Sequence, residues 1–444
     1  MTETRSLKRR HASSKRSVNN LLPEDYPVHN WYRFVLSYPP HLVRDYLQKF
    51  EVDATKTVLD PFCGTGTTLV ECKKRGVPSV GIEANPIAHF ASKVKTDWTV
   101  PPHHLRQHAE HIADRVDTIL QEQGIQDNPL FFGANAGVNA DNLLSLPSET
   151  EKLLLTDSIS PLPLHKTLVL LKQLSLEAEG EFYDYERLAL AKALIESISN
   201  LHFGPEVGVG PVKADEPVLA PWIANVDEMT KDLLQYSSKH DVASTVHLAD
   251  ARNLTKILSP ASVDIVITSP PYPNEKDYTR ITRLETVLLG FARNKMQLQG
   301  YKRTLLRSNT RNIYKGDNDD EWVESIPEIQ QLAEAIESRR IQLNKTSGFE
   351  RLYATVTRQY FGGIARHLAD LRSILRPGAR LAYVVGDQAS YLRVMIRTGN
   401  LIEQIAVSLG YETTGIDLFR TRLATATKDQ LREEVVTLRW RGDA

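Results

Sequence analysis

Apolar positions in the first third of the chain fall into short runs separated by turn residues. KTVLD (56–60) reads as a strand, PFCGTGTT (61–68) as a glycine-containing turn, LVECKKRG (69–76) as a helix closed by Gly76, and SVGIE (79–83) as the next strand. Strand, helix and strand at this spacing make half of a doubly wound parallel sheet. Upstream, His29 to Phe50 reads as a helical region broken by Pro39 and Pro40. Residues 99–240 interrupt the rhythm with helical patterns such as HLRQHAEHIADRVDTIL and with Gly/Pro-rich loops. Strand patterns return at STVHLAD (244–250) and SVDIVITS (262–269), and a second mostly helical stretch covers 278–376. RLAYVVGD (380–387) reads as a buried strand, TGNLIEQIAVSLG (398–410) as a helix ending at Gly410, and EEVVTLRW (433–440) as a last strand. The pattern predicts one α/β sheet carrying two helical insertions, with no internal repeat.

Composition narrows the class. The 444 residues are 41% hydrophobic and 25% charged, as in ordinary globular proteins. No run of 18 uncharged apolar residues is present, so no membrane-spanning helix is predicted. The start, MTETRSLKRRHASSKRS, is basic and lacks an apolar core, so it reads as a flexible tail (1–24) and not as a secretory signal. Two cysteines, Cys63 and Cys72, are too few for a disulfide framework or a zinc cluster and fit a cytoplasmic protein. His104, His108 and His111 share a helical face and read as surface residues, so no metal is expected.

Two turns carry candidate chemistry. In the first, Asp60, Pro61, Phe62, Cys63, Gly64, Thr65, Gly66 and Thr67 follow a strand and precede a helix. Gly64 and Gly66 let backbone approach a ligand closely, and strand carboxyl ends are where open α/β sheets bind ligands. Glu83, ending the next strand, is placed to accept hydrogen bonds from ribose hydroxyls. The third glycine of a dinucleotide fingerprint is missing, and Asp60 would repel phosphates but suits a cofactor carrying an ammonium group. That favours S-adenosylmethionine over NAD. In the second turn, Ser269, Pro270, Pro271 and Tyr272 follow the strand SVDIVIT. Two prolines stiffen the backbone where the strand ends. Ser269 and the carbonyl of Pro270 offer acceptors to a target amine, and Tyr272 offers a flat face on which an extruded base stacks.

Together these turns resemble motifs I and IV of the amino-group DNA methyltransferases, which methylate N4 of cytosine or N6 of adenine; the Ser-Pro-Pro-Tyr form resembles the N4-cytosine branch. The resemblance covers about 25–100 and 244–440. It implies a Rossmann-like, seven-stranded, mostly parallel sheet with one antiparallel strand, Asp250 against the cofactor's adenine amino group, and His29–Pro40 as the motif X that closes over the methionine end. It divides the catalytic domain into 25–98 (motifs X, I and II), 241–277 (III and IV) and 377–444, around insertions at 99–240 and 278–376. The implied reaction is direct in-line attack by the amine of a flipped base in double-stranded DNA, without a metal. C5-cytosine chemistry needs a cysteine nucleophile, and neither cysteine is placed for it. The alternatives are an N6-adenine enzyme, an RNA N2-guanine methyltransferase and a non-catalytic DNA-binding subunit. A cognate restriction endonuclease is left open as a partner, and a membrane is not expected.

Charge separates the insertions. Residues 99–240 hold 10 basic and 21 acidic side chains, a balance of −11, whereas 278–397 hold 20 and 12, a balance of +8. Phosphate contact gives much of DNA affinity, so the basic stretch is the expected recognition region. It includes KRTLLRSNTRNIYK (302–315), where Arg307, Arg311 and Lys315 alternate with Asn309, Asn312 and Tyr314. Arg280 and Arg283 read either as contacts to the flipped strand's phosphates or as helix-surface residues. The acidic insertion reads as scaffold, lid or protein contact site.

Overall fold

The computed structural model describes residues 22–33, 37–127, 135, 137–203, 206–423 and 430–442. Most of the expected basic tail, residues 1–21, lies outside them, as do residues 34–36 of the expected motif X. Seven strands form the central sheet: β1 (Val58–Asp60), β2 (Ser79–Glu83), β3 (Ser244–Leu248), β4 (Val263–Thr268), β5 (Leu375–Gly386), β6 (Glu412–Leu423) and β7 (Gln430–Arg439). Their order is β3-β2-β1-β4-β5-β7-β6. The first five run parallel, and β7 lies antiparallel between β5 and β6. This order, with one reversed strand, is the expected Rossmann-like methyltransferase sheet.

Alternation along the strands explains the layers. Leu59, Val266, Leu381, Tyr383 and Val385 face one core, shared with the helix Tyr353–Leu371. Val58, Ile265, Ile267, Ala382 and Val384 face another, covered by α1 (Pro40–Lys49) through Leu42, Val43, Tyr46 and Leu47. The acidic insertion builds the largest core. In Pro102–Glu122, Leu105, Ala109, Ile112, Val116 and Leu120 recur at helical spacing and are all buried. They join Val70 of α2 (Thr67–Lys74) and Ile87, Phe90 and Val94 of α3 (Pro86–Thr96). Through Leu219–Tyr236 the insertion also grips the N-terminal segment: Asp232 accepts the Val28 amide (2.7 Å) and the Trp31 indole N–H (2.8 Å).

Three expectations change. Among the described residues of 29–39 there is a single 3-10 turn, His29–Trp31, before α1 begins at Pro40. Their aromatics, Trp31 and Tyr32, are core plugs and not a helix face. The sequence reading also had no strand at 412–423, where β6 forms the sheet edge. A half-exposed edge strand carries no apolar alternation to read. Finally, β5 starts at Leu375, before the apolar run, and bulges before pairing regularly from Arg380.

Candidate active site

Strands β1 and β4 are neighbours, so the two sequence turns leave the same end of the sheet side by side. Thr268 at the end of β4 donates its hydroxyl to Asp60 at the end of β1 (2.6 Å). Asp60 also accepts the Phe62 amide (3.1 Å) and the Tyr38 hydroxyl (2.9 Å). It is fully buried, and desolvation raises its pKa. This departs from the expectation that Asp60 faces a cofactor's ammonium group: it sits behind the cavity wall and ties the two turns together.

The cavity they border encloses about 600 Å³, within the size range of small-molecule sites. Pro61, Phe62, Cys63, Gly64, Thr65, Thr67, Glu83 and Asp250 line it together with Ser269, Pro270, Pro271 and Tyr272. Only Asp60 and Gly66, among the residues expected at the cofactor and catalytic turns, do not. Gly66 caps α2 with φ of 86°, and a Cβ there would sit 3.0 Å from the Ser92 hydroxyl, so its role is the turn itself. Cys63 packs tightly: a Cβ on Gly81 would come 2.9 Å from its sulfur. Burial pushes its thiol well above the usual range, which agrees with a packing role.

Glu83 accepts the Gly64 amide (2.8 Å) with one oxygen and the Asn85 amide (2.7 Å) with the other. Burial still lifts its pKa to about 7. Asp250 is held by Arg252, whose Nε (2.9 Å) and terminal nitrogen (2.7 Å) grip separate oxygens in a fork. Arg252 in turn pairs with buried Asp319. Each carboxylate is therefore fixed while keeping lone pairs for a ligand.

In the second turn, Ser269 donates its hydroxyl to the Val384 carbonyl (3.0 Å). Its only proton is thereby committed, and its oxygen is left as an acceptor. Burial and the nearby Glu433 carboxylate push the Tyr272 hydroxyl up to about 12. The loop after Tyr272 is strapped to the basic stretch. Glu275 accepts the Thr310 amide (3.0 Å) and hydroxyl (2.9 Å), and Asn309 donates to the Lys276 carbonyl (3.0 Å). This strap brings Ser308 and Asn312 to the cavity, and the Asn312 side-chain carbonyl is buried without a partner.

The expected DNA contacts divide. Arg311 and Lys315 are exposed. Arg307 is not: it is 4% exposed, forms a two-pronged pair with Asp317 (2.7 and 2.8 Å) and also donates to the Leu305 carbonyl. It staples its own loop and does not face a phosphate. Arg283 is half-buried and donates to the carbonyls of Thr279 and Leu153, a helix-bracing position. Arg280 is half-buried, with its Nε unpaired. His108 lies between Glu177 and Glu186, while His104 and His111 are exposed. Tyr38, within the expected motif X, lines the cavity, whereas sequence reasoning missed Arg252, Lys276, Arg420 and Arg422, which line it too. None belongs to a spaced pattern; only the hairpin and the strap bring them together.

No helix among the described residues is long and apolar enough to cross a membrane. The sequence matches a family model described as DNA methylase over residues 6–93. It is 23% identical to Type II methyltransferase M.BsoBI of Geobacillus stearothermophilus, over 98% of this chain and 88% of that protein. It is 24% identical to Type II methyltransferase M.AvaI of Nostoc sp., over 93% of this chain and 85% of that protein. Among solved structures, TrmN from Thermus thermophilus is 11% identical over 90% of this chain and 48% of that one, with a TM-score of 0.26. The fold assignment rests on the strand order and not on that superposition. Taken with the two sequence turns, the family and relative matches support an amino-group DNA methyltransferase family for this chain.

Proposed function

We propose that this protein transfers a methyl group from S-adenosylmethionine to the exocyclic N4 amine of cytosine in double-stranded DNA. The observation that carries the reading is Ser269, a hydroxyl whose proton is engaged by Val384 and whose oxygen is left as an acceptor, lining the same cavity as Gly64 and Glu83. The residues fit the cofactor. Glu83 retains acceptor capacity for a ribose diol, Asp250 retains it for an adenine amine, and a Cβ on Gly64 would meet nothing within 4 Å, so this wall is open to a ligand. S-adenosylmethionine supplies an electrophilic methyl group when bound. The protein's part is positional and electrostatic. Tyr272 stacks the extruded base; Ser269 and the Pro270 carbonyl accept the amine's N–H bonds, raising electron density on nitrogen and fixing its lone pair toward the methyl. The amine proton leaves to solvent after transfer, and no side chain becomes covalently attached.

The Ser-Pro-Pro-Tyr form favours cytosine N4. Two buried, unpaired cysteines fit a cytoplasmic protein, and the relatives' Type II names suggest pairing with a restriction endonuclease. The test is transfer of isotopically labelled methyl from S-adenosylmethionine to unmethylated genomic DNA, followed by mass spectrometry of the nucleosides. Labelled N4-methylcytosine is expected. N6-methyladenine would overturn the base assignment, and label in RNA alone would overturn the DNA reading. Cofactor binding without transfer to either would indicate a non-catalytic subunit.

A further inference from the structure

Lys276, Arg420 and Arg422 line the cavity from the side of Tyr272. Arg420 and Arg422 lie on β6, and both pair with Glu433 of β7 (2.5 and 3.4 Å). Lys276 has no ion-pair partner among the described residues, and burial together with Arg422 lowers its pKa. Glu206 also acts on Lys276, so three cations meet two carboxylates, and this corner of the cavity holds a surplus of positive charge. Its place is fixed relative to the base-stacking ring. A Cβ on Gly386 would lie 3.1 Å from the Tyr272 ring and 3.4 Å from the Glu433 side chain, so Glu433 and its arginines sit one side chain away from Tyr272. Lys276 is four residues beyond Tyr272, in the loop strapped by Asn309.

We propose that Lys276, Arg420 and Arg422 form a phosphodiester subsite that holds the backbone of the nucleotide whose base stacks on Tyr272. The proposal rests on the methyltransferase reading above. A nucleotide rotated out of a duplex carries a phosphate on each side of its sugar, and a base seated on Tyr272 brings that backbone to the cavity's rim. Anions there would restore neutrality to a corner that the protein leaves positive. Guanidinium groups on a two-stranded hairpin present forked donors suited to phosphate oxygens. Glu433 keeps both arginines in place before DNA arrives.

The test uses Lys276→Gln, Arg422→Gln and the double variant of the full chain. Arg420 is left intact so that Glu433 keeps a partner. Affinity for a fluorescent, unmethylated duplex is measured by anisotropy across salt concentrations with S-adenosylhomocysteine present; affinity for S-adenosylhomocysteine itself is measured by calorimetry. Each neutralised phosphate contact contributes about 0.9 to the slope of log K against log salt. The double variant should lose about 2 from the wild-type slope and show at least a tenfold rise in KM for DNA. Its S-adenosylhomocysteine affinity should stay within twofold of wild type, and Lys276→Arg should restore the slope. An unchanged slope in the double variant, with wild type binding and methylating DNA, overturns the subsite alone. A large loss of cofactor affinity also overturns it, by assigning these cations to the cofactor's carboxylate. A wild type that neither binds nor methylates DNA overturns the subsite together with the reading beneath it.

Discussion

Glu83 allows a prediction whose size follows from its environment. In the ligand-free cavity its pKa stands at about 7, raised by burial despite two backbone N–H donors. A ribose diol needs the carboxylate as acceptor, so binding requires deprotonation. Apparent affinity then scales with the ionised fraction: about one part in eleven at pH 6 and about ten parts in eleven at pH 8. S-adenosylhomocysteine should therefore bind about tenfold more tightly at pH 8 than at pH 6, with a midpoint near 7. Glu83→Gln should abolish that pH dependence and weaken binding by about 10- to 100-fold, the loss of hydrogen bonds to a charged acceptor. Stability moves with the opposite sign. A carboxyl raised from 4.5 to about 7 keeps in the fold a proton that the unfolded chain releases. Its effect is therefore a loss of stability as pH rises from 4.5 to 7, by about 3 kcal/mol, constant above that. Glutamine removes this loss but returns about 1 kcal/mol of it, because its amide cannot accept from both Gly64 and Asn85. Calorimetric titration across pH, paired with thermal melts of the ligand-free protein, measures both effects. A wild-type affinity flat between pH 6 and 8, or the same slope in Glu83→Gln, would refute the assignment.

Three further outcomes follow from the geometry. Ser269→Ala should lower kcat about 10²-fold by removing one preorganised acceptor while leaving cofactor affinity within twofold; single-turnover methylation checks this, and a loss under threefold would remove Ser269 from the reaction. Asp60→Asn should destabilise the fold by about 1–3 kcal/mol, because its one oxygen can still accept from Thr268 and Phe62 but an NH2 group replaces the oxygen that accepts from Tyr38; denaturant melts read it, and a near-neutral result would mean the second oxygen is dispensable. Gly362→Ala would set a Cβ 1.8 Å from the Asp319 carbonyl oxygen. It should cost 3 kcal/mol or more, roughly the upper end of overpacking penalties, and weaken cofactor binding through the Asp319–Arg252–Asp250 chain, which thermal melts and titration test together.

Much of the catalytic framework was legible because its signals are local. β1, β2, β4 and β7 fall within a few residues of their apolar runs, and both turns sit where strand periodicity ends. What was hidden depends on partners distant in the chain. Arg307 looks like a nucleic-acid contact until Asp317 is found beside it. Arg420 and Arg422 went unread because β6 has no buried face to pattern it, and pairing with β7 brings them to the cavity. Asp60 was recognised as unusual, but its partners Tyr38 and Thr268 come from segments 22 and 208 residues away. The acidic insertion showed its helices but not their use. Whether Asp232 would brace Val28 and Trp31 cannot be read from charge counts.

The hydrogen bond between Thr268 and Asp60 has a consequence for how such enzymes diversify. It ties the two turns into one body at the centre of the sheet, so on the function proposed above the spacing between methyl source and target amine is inherited with the strands. A grafting experiment would meet its intolerance at those two side chains, both buried beneath the cavity.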